Sequence, residues 1–298
     1  MSHRNPKLMK YEIGKQYSPD DHFKSKARLH QSVYRSKVLK VDYDEYGNRL
    51  TDENGRKYLN YYDGLNVIAE LKKRYPNYSK KRDADMLRSE HIPFNLLAPL
   101  KTNKHLAKSV IRKAFDIQCS TILDLKLEFA PEPKENYLND ATAFDTYIEY
   151  LNISGERCGI GIEVKYTEQA YRIGKSEKIR VKDNNSTYWK TTRKSRAFLD
   201  SGDQRLGEDV IRQIWRNHIL GLSMLQAGDL ARFHSITLYP QGNVHIEKAI
   251  HQYQSLLTED CRDLVFGCTF ETYITAIHGA MKITRWKEYL KRRYLIAT

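Results

Sequence analysis

Apolar and polar positions alternate most cleanly at residues 160–166. Ile160, Ile162, Val164 and Tyr166 share one face, and Gly161, Glu163 and Lys165 share the other. A period of two over this length marks a half-buried strand. Two upstream segments repeat it. In 123–129, Leu123, Leu125, Leu127 and Phe129 stand opposite Asp124, Lys126 and Glu128. In 144–151, Phe144, Ile148 and Tyr150 stand opposite Asp145, Tyr147 and Glu149. Turn residues at Asn139, Asp140 and 153–156 separate the three, which predicts an antiparallel meander. Between 209 and 226 the spacing becomes helical (Val210, Ile211, Ile214, Trp215, Leu222, Leu225), and Gly228 is the expected C-cap. Residues 86–97 read as a helix limited by Pro93, and 104–115 as a second helix. Residues 233–239 read as a further strand, and 245–257 and 270–295 as helices. The predicted order from residue 86 is helices, three strands, helix, strand, helices: a mixed α/β (α+β) fold.

The chain before that has another texture. Residues 38–62 are rich in Tyr, Asp and Asn, with turn residues at 46–48 and 54–55, and predict short strands joined by turns. Residues 75–81, polar and basic around Pro76, read as a linker. The expected division is an accessory region of unknown role over 1–85 and a functional domain over 86–298. No repeat occurs at a solenoid period. The N-terminus lacks the apolar stretch of a secretory signal, and no run approaches the ~20 residues of a membrane span. Cys119, Cys158, Cys261 and Cys268 form no CxxC pair; they fit a reducing cytoplasm and are expected to be mostly buried small hydrophobes.

With 40% hydrophobic residues over 298 positions, the chain can build a core, which excludes collagen-like and wholly disordered classes. Lys and Arg number 50 against 37 Asp and Glu, a net charge of +13. Such an excess points to a polyanionic partner, nucleic acid first. It concentrates at 172–196, where Arg172, Lys175, Lys178, Arg180, Lys182, Lys190, Arg193, Lys194 and Arg196 are opposed only by Glu177 and Asp183. Tyr188 and Trp189 are interleaved there. The segment is expected to form a DNA-facing hairpin or flap, with cations on phosphates and an aromatic available to a base. Lys287, Lys291, Arg292 and Arg293 end the last predicted helix, a place where cations also suit the helix dipole.

The chemistry centres on Asp145, Glu163 and Lys165. Glu163 and Lys165 leave the same face of one strand, and Asp145 sits on the strand expected to pair with it. Two carboxylates converging across strands suit Mg²⁺, a hard cation that takes oxygen ligands and keeps several waters; the Val164 carbonyl is a third oxygen. A Lys beside such a centre can orient an attacking water and offset charge on a pentavalent phosphate. Glu128 shares the parity of this face, as a further ligand or a supporting group. Other acid-x-Lys triplets lack the context. Glu70-Leu71-Lys72 lies in a helical pattern, Glu132-Pro133-Lys134 among prolines, and Asp124-Leu125-Lys126 has no acid on a preceding paired strand. Gly174-Lys175-Ser176 imitates a P-loop end, but Gln169 stands where its first Gly is needed. No GxSxG or HExxH occurs.

Phe144-Asp145, followed by Gly161-Ile162-Glu163-Val164-Lys165-Tyr166-Thr167-Glu168, resembles the PD-(D/E)XK nuclease superfamily, whose restriction-endonuclease-like core runs αβββαβ. A closer likeness is to a group of bacterial restriction-endonuclease-like proteins, through residues 94–100 (FNLLAPL) and the Trp215 to His218 segment (WRNH). It covers residues from about 85 to the end of the chain, so the expected architecture is that core with helical C-terminal additions and an N-terminal accessory region. The resemblance implies a Mg²⁺-dependent DNA endonuclease, with Mn²⁺ able to substitute and metal-bound water as nucleophile. Asp145, Glu163 and the Val164 carbonyl would be ligands, Lys165 the catalytic lysine, and Glu90, from the first core helix, a further ligand beside Glu128. Phe144 replaces the Pro of the motif, which keeps Asp140 as the alternative ligand. Gln213 and Arg216, on nearly one side of the long helix, are accessory candidates, with Gln169 and Tyr171 at the mouth of the site. Double-stranded DNA as substrate, a homodimer that cuts both strands, a cytoplasmic location and a role in defence complete the expectation. The rival readings are a repair, recombination or RNA-directed nuclease on the same core, and a catalytically silent DNA-binding protein.

Overall fold

The three alternating segments become the first strands of a five-stranded sheet in the computed structural model, which describes residues 11–169, 173–280 and 284–296. They are β1 (Thr121–Phe129), β2 (Phe144–Leu151) and β3 (Arg157–Val164), paired antiparallel in sequence order. β4 (Arg232–Tyr239) and β5 (Val265–Thr269) follow in the same order, each parallel to the strand before it. β5 was not expected: Val-Phe-Gly-Cys-Thr is short and does not alternate, so periodicity does not reveal it.

The helices are α1 (His22–Tyr34), α2 (Val67–Arg74), α3 (Ile92–Lys101), α4 (Lys104–Phe115), α5 (Lys175–Lys182), α6 (Thr187–Ser195), α7 (Arg212–Ala227), α8 (Val244–Gln254), α9 (Phe270–Ala280) and α10 (Thr284–Tyr294). α7 ends on Gly228, whose φ of 84° is the left-handed conformation a helix C-cap favours. The expected first helix begins later than predicted. Residues Ser89–His91 form a 3₁₀ turn, and Pro93 sits in the first turn of α3, where its missing N–H costs no bond.

Several local expectations are corrected. The turn predicted at 46–48 lies inside a short strand, Tyr46–Leu50, and Asn54-Gly55 lies in a helical turn, Asp52–Arg56. Thr51 caps that turn through its hydroxyl, which accepts from the Asn54 N–H at 3.3 Å and outweighs the turn propensity of Asn-Gly. The linker read at 75–81 runs into a helical turn, Lys80–Asp83. The basic segment forms α5 and α6, not a hairpin or flap. Tyr188 and Trp189 are buried, with ring centroids 5.7 and 4.8 Å from Trp215, so they serve the core and not a nucleobase.

The two faces of the sheet differ in what they carry. Ile148, Tyr150, Ile160, Ile162, Val164, Ile236 and Leu238 pack under α3, α4, α9 and α10. Phe144, Tyr147 and Phe233 pack on the other face with Trp215, Ile219 and Leu222 of α7. Glycine permits this second contact. A Cβ on Gly221 would lie 2.0 Å from the Phe233 ring, so α7 rests directly on the sheet; within the sheet, one on Gly161 would lie 2.5 Å from the Phe144 ring. α1 joins the first core through Ala27, and Gln31 donates to the Tyr166 hydroxyl at 2.5 Å and to the Arg293 carbonyl at 2.8 Å. Cys119, Cys158 and Cys268 are buried, Cys261 is partly exposed, and all four are free thiols. Among the described residues, no helix is long and apolar enough to cross a membrane.

Two buried histidines tie this packing to pH. Burial pushes His218, bonded through Nδ1 to the Tyr253 hydroxyl at 2.8 Å, down to about 3 from an ordinary 6.5. Burial, helped by Arg232, pushes His234 down to about 4. Both are neutral when folded and take up a proton when unfolded below pH 6.5. Their contribution is therefore intact above that pH and lost as the pH falls toward the folded values. Each adds a slope of at most about 1.4 kcal/mol per pH unit. Urea denaturation of wild type and His218→Gln at pH 7, 6 and 5 is expected to show a stability gap that narrows on acidification; a constant gap would refute it.

Candidate active site

Strand register assembles a row of acids at one end of the sheet. β2 and β3 pair Thr146 with Ile162, so the next positions outward are Asp145 and Glu163. β1 and β2 pair Leu127 with Thr146 and Phe129 with Phe144, which sets Glu128 across from Asp145. Glu163 in turn pairs with Thr237 of β4. Lys165 is the first residue past β3, and its N–H donates to the Leu238 carbonyl at 2.8 Å. Glu128, Asp145 and Glu163 thus lie side by side across three strands. Lys165 was expected on the strand itself; it follows the strand end and still returns to the same place.

The side chains are tightly bound. The Val164 N–H donates to Asp145 Oδ2 at 2.6 Å. Lys165 Nζ donates to Glu163 Oε1 and to Gln213 Oε1, each at 2.5 Å. Gln213 Nε2 also donates to Glu163 Oε1, and Asn217 Nδ2 donates to Glu163 Oε2 at 2.7 Å. Glu163 is 9% exposed and Lys165 5%, so this network works in a largely desolvated setting. Burial pushes the Asp145 carboxyl well above its usual range, and the negative charges of Glu163 and Glu128 add to the rise. Burial also raises Glu128, with Glu163 and Glu90 contributing, while the Tyr75 hydroxyl and Arg74 oppose it. The ionised forms of these carboxyls are disfavoured by burial and by one another, a penalty a divalent cation would relieve. Among the described residues, no group of three or more His, Cys, Asp or Glu side chains is close enough to hold an ion by itself. The fit is to a hard cation that takes two carboxylates and completes its shell with main-chain oxygen and water.

A model of the PD-(D/E)XK nuclease superfamily matches residues 18–296. The chain belongs to the PD-(D/E)XK nuclease superfamily. Neither the comparison with curated proteins nor that with solved structures gave a significant match. Superfamily membership makes the protein a metal-dependent nuclease in general terms, and the mixed sheet with helices on both faces is consistent with that fold. The matched stretch takes in α1 as well as the sheet.

The other expected residues of this PD-(D/E)XK nuclease divide. Gln213 joins the network. Arg216 does not: it pairs with Glu177 of α5 at 3.1 Å and donates to the Thr142 hydroxyl at 2.8 Å. Glu90 is exposed and pairs with Arg88 at 3.1 Å, though its charge is felt at Glu128. Asp140 takes no place in the row; it accepts from the Tyr188 hydroxyl at 2.5 Å and from the Thr142 N–H at 2.9 Å. Gln169 lines a small cleft with Glu163, Lys165, Gln213 and Thr237, and donates to Asp21. Lys175, Lys178, Lys182, Lys190, Arg193, Lys194 and Arg196 are exposed on or beside α5 and α6, while Arg180 is half-buried against the Leu138 and Asn139 carbonyls. Arg172 and Tyr171 lie outside the described residues.

Sequence reasoning missed Asn217 and Glu177. Asn217 lay in the Trp215 to His218 segment that carried the family likeness, one helical turn after Gln213, and that spacing was the available clue. Glu177 was counted only as a charge opposing its basic neighbours. Its Oε1 accepts from Arg212 Nε at 2.9 Å as well as from Arg216, joining α5 to α7.

The excess of acids makes a stability prediction. Asp145→Asn removes one charge and keeps an oxygen to accept from the Val164 N–H. The metal-free variant is expected to gain about 1–3 kcal/mol and several degrees in thermal midpoint. A lower midpoint in EDTA, read by calorimetry, would show that Asp145 is not strained by its neighbours.

Proposed function

We propose that this protein is a Mg²⁺-dependent DNA endonuclease in which Asp145 and Glu163, with the Val164 carbonyl, hold the cation. The observation that carries the reading is the row of carboxylates across β1–β3 with Lys165 bonded into it. When bound, a divalent cation there supplies a Lewis acid that polarises the scissile phosphodiester and lowers the pKa of water. Lys165 places an ammonium beside the reacting phosphate, where it can orient the incoming water and offset developing negative charge. Gln213 holds Lys165 and Glu163 at once. Glu128, next in the row, is a further ligand or sets the charge at Asp145. Mn²⁺ is expected to substitute for Mg²⁺.

Duplex DNA is the substrate we assign. The exposed cations of α5 and α6 present charge for a phosphate backbone, while Tyr188 and Trp189 are buried. Proteins that take single strands lean on exposed aromatic platforms, which the described part of this segment does not offer. α5 is tied through Glu177 to the helix that carries Gln213, so phosphates bound there lie one helix from the acids. We read residues 1–85 as an accessory to the nuclease core, and a homodimer as the means of cutting both strands. The likeness to restriction-endonuclease-like proteins supports a setting in defence against foreign DNA, within the cytoplasm.

Supercoiled plasmid incubated with Mg²⁺, Mn²⁺ or EDTA tests the chemistry. Cleavage is expected with either metal, none in EDTA, and a loss of about 10²–10³-fold or more in Lys165→Ala and Glu163→Gln. Metal-dependent cutting that survives both substitutions would place the active site elsewhere.

Binding is tested separately, in EDTA, with a labelled duplex across a range of salt. Replacing Lys175, Lys178 and Lys182 by Ala is expected to flatten the slope of log affinity against log salt by about 0.9 for each phosphate no longer neutralised. An unchanged slope would remove α5 from the interface.

A further inference from the structure

Glu163 is held by more donors than its place at a strand end requires. Oε1 accepts from Lys165 at 2.5 Å and from Gln213; among the described residues, Oε2 accepts from Asn217 alone, at 2.7 Å. An ionised carboxylate offers roughly four lone-pair positions on its two oxygens. The described residues therefore take three, and the position they leave is on Oε2, the oxygen that Asn217 holds. The donor itself is fixed. Asn217 is 5% exposed, and its amide bonds only to Glu163 among the described residues. Its neighbours lock the helix: Trp215 Nε1 donates to the Thr192 hydroxyl at 3.0 Å, and His218 is bonded to Tyr253 at 2.8 Å. Gln213 differs, because it also holds Lys165 and its removal would disturb two groups.

We propose that Asn217 is a positioning residue for the metal centre. Its amide sets the rotation of the Glu163 carboxylate, so that the uncommitted lone pair of Oε2 is the one presented to a divalent cation. Lys165 and Gln213 saturate Oε1, which makes Glu163 a one-oxygen ligand. This rests on the reading of Asp145 and Glu163 as ligands. Donors that orient a metal-binding carboxylate typically change metal affinity by about 10–100-fold when removed.

The test is calorimetric titration of Mn²⁺ into the full-length protein without nucleic acid, for wild type, Asp145→Asn, Asn217→Ala and the near-isosteric Asn217→Leu. Both Asn217 variants are expected to bind Mn²⁺ about 10–100-fold more weakly. Their cleavage should need correspondingly more metal for half-maximal rate and recover at saturating metal, a split that general damage to the fold would not give. Duplex affinity in EDTA should match wild type. Unchanged Mn²⁺ affinity in both variants overturns the inference. So does loss of the folded circular-dichroism spectrum in both, since the residue would then be structural. If wild type binds Mn²⁺ no better than Asp145→Asn, the ligand assignment itself fails, and this result is distinct from the other two.

Discussion

A one-residue slip between β2 and β3 would turn every side chain of one strand to the opposite face and disperse the acids. What prevents the slip lies on the far side of the sheet. Ile148, Ile160, Ile162 and Val164 are fully buried there. Each contributes about 1.5–3 kcal/mol on burial, and a slip of β3 would forfeit the contributions of Ile160, Ile162 and Val164 together. Repulsion between neighbouring carboxylates in partly solvated protein costs about 4 kcal/mol for a pair 4 Å apart. The apolar face outweighs the polar one, so the core dictates where the carboxylates stand. The Val164 N–H, donated to Asp145 at 2.6 Å, takes a backbone group from the best-buried position of the pair to steady the strained one.

α7 is the second element on which the site depends, and it presents a different neighbour on each side. Gln213 and Asn217, one turn apart, reach Glu163. Arg212 and Arg216, also one turn apart, reach Glu177. Trp215 fills the core beneath α6, and His218 meets Tyr253 of α8. A helix engaged on all sides cannot rotate to satisfy one partner without losing another, and this holds Gln213 and Asn217 to their lengths and angles. The polar residues of a helix so deeply packed are explained by partners, not by water.

The same distinction governs what the sequence made legible. The strands carrying Asp145 and Glu163 announced themselves because one face is apolar and the other polar, and a period of two needs nothing else. Gln213 was within reach because helical spacing put it on a polar side. Arg216 was misdirected by the same reasoning: spacing says which residues share a side, not which partner waits there, and Glu177 arrives from a helix that the charge pattern concealed. Tyr188 and Trp189 failed as a stacking platform for a related reason. Among so many cations they look like a nucleic-acid surface, yet their spacing also fits the buried side of α6, and the burial of large aromatic area decides. β5 was invisible because five residues in a parallel edge strand leave no periodic trace.

Glu177 also bears on why Asp145 has no arginine partner among the described residues. The protein has 50 Lys and Arg, and the two arginines of α7 lie within a turn of Gln213 and Asn217. An arginine forked onto Asp145 would lower that carboxyl, hold it bidentately and, on the proposed function, fill the position the cation would take. Instead Arg212 is tied to Glu177 and Asp209, and Arg216 to Glu177 and Thr142. Among the described residues, Lys165 is the cation bonded into the row, and its ammonium is held by Glu163 while Asp145 and Glu128 are left to repel one another. Glu177 thus does two things at once. It anchors the basic helix α5, and it keeps the guanidinium groups of α7 away from the acids. On the function proposed above, the exposed cations stay outside for an anionic partner and the carboxylates stay inside for a divalent ion. Such separation of opposite charges within one small region costs stability, and it persists where a site must stay open to what it binds.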